Sequence, residues 1–143
     1  MKTNPNFYAQ KISQVVQETE TIGEKMNPDY ELIRNLIDKD QLNQLSEEKR
    51  QIIVENFQAG TDQYQVLLDT LKSLRAPARV IGTHKKFEAA FSRYVAGCQA
   101  MVDSISLSTV DAVAFTAAEK EQDEATDTIS AAIQKIMNLL AGR

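Results

Sequence analysis

Cysteine and histidine are almost absent from this sequence, which contains one of each, Cys98 and His84. A single cysteine cannot form an intramolecular disulfide, so nothing marks an oxidising compartment. A structural zinc site usually takes four Cys or His ligands, and a di-iron bundle takes two Glu-x-x-His motifs plus two more carboxylates. Ile81, not a glutamate, stands three residues before His84. We therefore predict no metal site, no other cofactor and no catalytic residue.

The spacing of the two residues also argues against nucleophilic catalysis. Cys98 lies fourteen positions after His84, which corresponds to about 21 Å along one helix. A nucleophile and its base must approach to about 3 Å, so the two cannot act as a pair on an intact helix. We predict that Cys98 is a small buried hydrophobe. His84 is predicted to be packed or partly exposed near a helix start, with a pH-sensitive contact or a ligand-binding role as the alternative.

Long apolar runs and a strong charge of one sign are missing as well. No window approaches the roughly 18 apolar residues that a membrane span needs, and the start, MKTNPNFYAQKISQVV, lacks the apolar run of a signal peptide. We predict a cytoplasmic protein, with a removed leader as the open alternative. The net charge of −4 is small and mixed, so it does not predict nucleic-acid binding. No GxxxxGK[ST] or GxGxxG motif predicts a nucleotide site.

Proline and glycine are also few, with three and five residues in a chain of 143. No Asn-Gly or Asp-Gly turn joins two β-branched runs, whereas helix-forming residues such as Ala, Gln, Glu, Lys and Leu are abundant. The length suits one buried core. We therefore predict a single all-α domain over residues 1–143.

Apolar residues that recur every three or four positions place the helices. One stripe starts at Tyr8 and ends at Met26, where Asn27-Pro28 is predicted to break the first helix. Ser46 reads as the N-cap of a second helix that ends near Leu74 or Arg75. The remaining pattern predicts an elbow around Pro77, a third helix to Ile105, and a fourth helix from a capping box at Ser108–Asp111 to about Leu140. The short connections favour an antiparallel up-and-down bundle of four main helices.

Two sets of side chains are candidate binding sites. The first is an aromatic stripe whose spacing favours core, with a ligand pocket between helices as the alternative; its members are Tyr64, Phe87, Phe91, Tyr94 and Met101. The second is a basic cluster at the elbow, which would suit an anion or an acidic partner next to a helix N-terminus, or would be a solvated turn; its members are Lys72, Arg75, Arg79, His84, Lys85 and Lys86.

An acidic run, EKEQDEATD, spans Glu119–Asp127 and contains five carboxylates. It lacks the alternating ligands and central glycine of a calcium loop. We predict a solvent-exposed helical face, and an unusual acidic site if this face points inward. The pair Glu121 and Glu124 is the one place where the sequence leaves room for carboxylate chemistry.

The segments LKSLRAP, HKKF and RYVAGCQAM resemble helical hairpins of small, uncharacterised bacterial proteins with a Leu-x-x-Leu-x-x-Pro elbow. The resemblance covers Leu71–Met101, under a quarter of the chain. It implies a bacterial helical protein without an assigned activity, so no functional residue is carried over.

The absence of catalytic chemistry favours a protein that acts by binding. The leading hypothesis is a non-enzymatic interaction module, such as an adapter, a regulator or an assembly component. Its partner would be another protein or a second copy, bound through apolar surface on the broken first helix or the alanine-rich start of the last. The alternatives are a small-molecule or lipid binder that uses the aromatic stripe, and an anion or nucleic-acid binder that uses the basic elbow.

Overall fold

The structure is a computed structural model that describes residues 4–142. In this part of the chain four α-helices follow one another: α1 (Pro5–Asp38), α2 (Glu47–Ser73), α3 (Ile81–Ser106) and α4 (Ala112–Leu140). Two short 3₁₀ turns connect them, Leu42–Gln44 before α2 and Ala78–Val80 before α3. The prediction of an all-α bundle of four main helices is confirmed.

The helices alternate in direction along the chain. Arg50, near the start of α2, donates a hydrogen bond to the carbonyl of Ile105 near the end of α3 (2.6 Å). Arg34, near the end of α1, donates to the hydroxyl of Thr116 near the start of α4 (3.3 Å). These contacts make α2 antiparallel to α3 and α1 antiparallel to α4.

Side-chain caps fix the starts of α1, α2 and α4. Ser46 accepts a hydrogen bond from the backbone N–H of Lys49 (3.0 Å), so the predicted cap of α2 is confirmed. The predicted capping box at Ser108 is wrong, because Asp111 is the N-cap and accepts from the N–H of Ala114 (3.0 Å). The N–H of Asp111 in turn donates to the carbonyl of Ser104 (2.8 Å). This bond closes the turn between α3 and α4, so the residues from 107 to 110 are needed for the reversal.

The predicted break of the first helix at Asn27-Pro28 is also wrong. Helix α1 continues through Pro28, although a proline inside a helix removes one hydrogen bond and costs about 3 kcal/mol. Ile22 and Ile33 are buried on either side of it, so one apolar stripe packs on the bundle along the whole helix. Pro28 and Glu24 lie on the exposed face, where water can bond to the carbonyl that has lost its partner. Tertiary packing therefore offsets the local preference.

Helices α3 and α4 form the closest pair in the bundle. Small buried residues repeat every seven positions on both, namely Ala90, Gly97 and Ser104 on α3 and Ala118, Ala125 and Ala132 on α4. A Cβ atom at Gly97 would lie 3.0 Å from Cγ of Gln122 and 3.4 Å from its backbone nitrogen. Helices α1 and α4, in contrast, touch sparsely. The bundle is thus tight on one side and open along the α1–α4 seam.

Candidate functional site

A cavity of about 310 Å³ lies inside the bundle and is lined by residues of all four helices. We call it the central cleft. Its apolar wall consists of Met26, Phe57, Tyr64, Tyr94, Cys98 and Met101. Its polar side is formed mainly by Asn27 and Tyr30 from α1 and by Glu119, Gln122 and Asp123 from α4. A volume of this size is at the lower end of the range of small-molecule sites, which begins near roughly 300 Å³.

A glycine on α1 helps to keep the cleft open. Gly23 lines the cavity, and a Cβ atom at this position would point to the Tyr64 hydroxyl at an ordinary contact distance of 3.4 Å. A longer side chain at this position would therefore extend into the cleft. Glycine in a helix interior costs about 0.5–1 kcal/mol relative to alanine, so this position trades helix stability for space.

The tyrosines of the apolar wall are connected to one another. The Tyr94 hydroxyl donates to the Tyr64 hydroxyl (3.4 Å), which donates to the backbone carbonyl of Thr19 (3.5 Å). Their rings are edge to face, with centroids 5.1 Å apart. Burial raises the pKa of Tyr64 to about 12 and raises the pKa of Tyr94 far above its ordinary value. Both phenols are therefore neutral near pH 7.

Cys98 lies on the same wall and is 6% exposed. Burial raises the pKa of its thiol from 9.0 to about 12. A reactive cysteine needs its thiolate form near neutral pH, so this thiol is a packed, neutral group. The prediction that Cys98 is a buried hydrophobe is confirmed.

Glu119 links the two helices that border the open seam. It accepts a short hydrogen bond from the Tyr30 hydroxyl, and its Oε1 lies 3.6 Å from Nη1 of Arg34. Partial burial raises the pKa of the Glu119 carboxyl, and the nearby charge of Asp123 adds to this effect. Asp123 lies one helical turn further along α4 and also lines the cleft. The lining of the cleft therefore includes a polar contact between α1 and α4 and two carboxyl groups.

The structure divides the predicted aromatic stripe between cleft and core. Tyr64, Tyr94 and Met101 line the cleft, whereas Phe87 and Phe91 are 1% exposed each and pack in the core. Phe87 and Phe91 lie nearer the elbow, and their rings contact each other edge to face at 6.2 Å. The predicted five-residue pocket is therefore wrong for these two phenylalanines.

Sequence reasoning missed the contributions of α1 and α4 to the cleft. Gln122 is polar, but it follows Ala118 by four positions and precedes Ala125 by three, and both alanines are buried. This helical spacing was the available signal that Gln122 faces inward. Its side chain donates to the carbonyl of Gly97 (3.1 Å). The acidic run is largely the exposed face that we predicted, and Asp123 is exposed too. Glu119 is half-buried, and both residues line the cleft.

The other acidic pair does not face the cleft. Glu121 and Glu124 are exposed on α4 and both bind Arg93 of α3, at 2.8 and 2.5 Å. Hydrogen bonding to Arg93 lowers the pKa of Glu121. These two carboxylates join neighbouring helices at the surface, where such pairs contribute little to stability.

One of the six predicted members of the basic cluster is buried. His84 is only 2% exposed, although it lines a shallow cavity at the elbow, so it adds little to the surface of the patch. It is buried because its ring is fully bonded inside the bundle, to the Tyr8 hydroxyl (2.6 Å), the Leu71 carbonyl (3.1 Å) and Glu88 (3.0 Å). The other five residues, Lys72, Arg75, Arg79, Lys85 and Lys86, are exposed at the elbow.

The elbow is mixed in charge. A shallow cavity of about 320 Å³ is lined by Lys72, Arg75, His84 and Lys85, but also by Glu88. Arg79 donates to the carbonyl of Leu139 (3.1 Å), so this guanidinium already joins the elbow to the end of α4. A carboxylate inside the patch weakens its attraction for anions.

Two further properties of residues 4–142 bear on function. None of their helices is long and apolar enough to cross a membrane. They contain no group of three or more His, Cys, Asp or Glu side chains placed to hold a metal ion.

Comparison of the chain with models of protein families, with curated proteins and with solved structures finds no match in any of the three. The resemblance over Leu71–Met101 stays a prediction.

Proposed function

We propose that this chain is a non-enzymatic binding protein whose ligand is a small, partly apolar molecule held in the central cleft. The observation that carries the proposal is the cavity of about 310 Å³ to which all four helices contribute. Ligand sites of helical bundles are built in this way, from side chains of facing helices. Most such sites combine an apolar wall with a few polar groups that orient the ligand, and the central cleft has both.

The chemistry of the cleft supports binding rather than turnover. Its thiol and its two inner tyrosines, Cys98, Tyr64 and Tyr94, are neutral near pH 7, and burial raises their pKa values further above it. Glu119 is already bonded to Tyr30 and faces Arg34. A general base must lie beside the group that it deprotonates, and among the described residues neither carboxyl group of the cleft is hydrogen-bonded to the Cys98 thiol.

The interaction-module hypothesis has less support. Six large apolar side chains of the described residues are exposed, and they are spread over four helices and a turn; they are Phe7, Ile52, Val66, Ile81, Leu107 and Val113. The apolar stripe of α1 is buried along an unbroken helix, so it offers little surface for a second copy. Anion or nucleic-acid binding at the elbow is weakened by Glu88. Both hypotheses stay predictions.

The methionines allow a direct test. Met26 and Met101 line the cleft, whereas Met137 packs against the core away from it. With ¹³C-methyl-methionine labelling, a ligand in the cleft will shift the signals of Met26 and Met101 and leave that of Met137 nearly unchanged. We would screen a library of small apolar and amphipathic compounds and lipids, and would also look for a retained adduct by native mass spectrometry.

Two glycine variants provide a matched control. Gly23→Leu fills the cleft and should abolish the ligand-induced shifts, and it should still fold because leucine favours a helix more than glycine does. Gly82→Leu makes the same change where an added Cβ meets no atom within 4 Å, so binding should persist. A screen that shifts neither cleft methionine, or shifts that survive in Gly23→Leu, would overturn the proposal.

A further inference from the structure

We infer that the ligand of the central cleft is an organic cation, a protonated amine or a quaternary ammonium on a small apolar body, because the cleft places carboxylates beside a wall of aromatic rings and contains no basic side chain. The inference rests on the proposed function and assigns the chemical class of the ligand.

The first argument is the charge of the lining. Glu119 and Asp123 contribute carboxylates, and none of the lining residues is Lys, Arg or His. Arg34 lies near Glu119, but it also pairs with Asp38 at 3.1 Å, so it is shared between two acids. Among the described residues Asp123 has no ion pair or hydrogen bond from a side chain. An anionic ligand would be repelled by these carboxylates, whereas a cation would pair with the exposed carboxylate of Asp123.

The second argument is the aromatic part of the lining. Phe57, Tyr64 and Tyr94 contribute rings to it, and Met26 and Met101 add polarisable sulfur. Aromatic faces attract ammonium groups, and cages of aromatic side chains are a common way to bind quaternary ammonium ligands. The same rings pack against an apolar body. A lining with both rings and carboxylates therefore fits one molecule that has an ammonium group and an apolar body.

A metal cation fits the cleft less well. Calcium takes roughly six to eight oxygen ligands, and magnesium demands near-ideal octahedral geometry. The cleft offers two carboxylates within a mostly apolar wall, and residues 4–142 contain no group of three metal-binding side chains. Charge and shape together thus favour an organic cation.

The test compares three soluble molecules of nearly equal size: phenethylamine, 2-phenylethanol and phenylacetate. Each is titrated at pH 7 into ¹³C-methyl-methionine protein, with the shifts of Met26 and Met101 as the readout. We expect the amine to bind about tenfold more tightly than the alcohol, and the acid to bind most weakly. The preference for the amine should fall as salt is added, because part of it is electrostatic at a partly open site.

Charge-neutral variants of α4 identify the group responsible. Asp123→Asn should reduce the affinity for phenethylamine roughly fivefold, as expected for about 1 kcal/mol of charge attraction, and leave 2-phenylethanol unchanged. Asp127→Asn is the matched control, because Asp127 is an exposed carboxylate one turn further along α4 that does not line the cleft. It should leave both affinities unchanged.

The outcomes separate this inference from the proposed function. If amine and alcohol shift the cleft methionines with equal affinity, or if only neutral or acidic compounds bind, the inference is overturned and the proposed function stands. If the amine binds without shifting Met26 or Met101, it binds the acidic surface and the inference is overturned. If no compound of the wider screen enters the cleft, both fail.

Discussion

The hydroxyl of Tyr8 lies 2.6 Å from Nδ1 of His84, which is 76 positions away in the sequence. On the other side of the ring, Nε2 faces two acceptors, the carbonyl of Leu71 at 3.1 Å and the carboxylate of Glu88 at 3.0 Å. Nε2 must therefore carry a proton, and in the neutral ring Nδ1 accepts the hydrogen bond from Tyr8. The only histidine of the chain thus joins the start of α1 to the end of α2 and the start of α3.

Removing the Tyr8 hydroxyl will test this structural role. Tyr8→Phe leaves Nδ1 of His84 buried without a donor, and we expect a loss of about 1–3 kcal/mol in the free energy of unfolding. Urea denaturation followed by circular dichroism measures it. In a double-mutant cycle with His84→Leu, Tyr8→Phe should lower the free energy of unfolding less in the His84→Leu background than in the wild-type protein. Strictly additive losses would contradict the coupling.

Gly97 tests the close approach of α3 and α4. Gly97→Leu forces a side chain against the backbone nitrogen of Gln122, which a Cβ atom alone would approach to 3.4 Å. We expect a destabilisation of at least about 1–3 kcal/mol, because an overpacked site must shift backbone or rotamers. Gly82→Leu, where nothing lies within 4 Å, should be neutral or slightly stabilising. Equal thermal stability of the two variants would show that the helices are not this close.

Cys98 should react slowly with thiol reagents. Its pKa of about 12, compared with 9.0 for an ordinary thiol, lowers the thiolate fraction at pH 8 by roughly a thousandfold. We expect iodoacetamide to modify the folded protein at least a hundredfold more slowly than the urea-unfolded chain, as followed by mass spectrometry. Comparable rates in the two states would mean that the thiol is accessible and that the cleft wall opens readily.

The same buried groups predict a loss of stability at alkaline pH. Below about pH 8, Cys98 and Tyr64 are almost fully protonated in both the folded and the unfolded chain, so their contribution to the free energy of unfolding is constant. Above it the unfolded chain loses these protons first, because burial raises the two folded-state pKa values to about 12. The free energy of unfolding should therefore fall steadily from pH 9 to 12. Cys98→Ala should flatten the part of this decline near pH 9 to 10. An unchanged slope would contradict the assignment of this part of the decline to the Cys98 thiol.

Arg50 is a buried charged residue that joins α2 to α3 by a hydrogen bond. It is 6% exposed, donates to the carbonyl of Ile105 in the last turn of α3, and binds Glu47. Arg50→Met keeps the aliphatic stem but leaves that carbonyl without its donor, so we expect a loss of about 1.5–3 kcal/mol in urea denaturation. Lys49→Met, at a more exposed neighbouring position, should change stability by about 1 kcal/mol or less. A smaller effect at Arg50 than at Lys49 would contradict this role.

Local patterns predicted much of the fold and little of the site. The stripe from Tyr8 to Met26 and the cap at Ser46 are local features, and both appear in the structure. Pro28 misled the prediction because its cost is local, whereas the packing that outweighs it involves other helices. Phe87 and Tyr94 share one apolar face of α3, but only Tyr94 reaches the cleft, since the depth of a cavity depends on the opposite helices.

The sequence by itself determined that this chain is helical, where three of its four helices begin or end to within a few residues, and that it has no pattern for a metal or nucleotide site. These features depend on neighbours three or four positions apart, which the sequence shows directly. Only the tertiary structure decided that His84 is enclosed by Tyr8, Leu71 and Glu88, and that Gly23 and Glu119 meet the aromatic wall at one cleft. Such contacts join distant parts of the chain, and they are set by how closely each pair of helices packs.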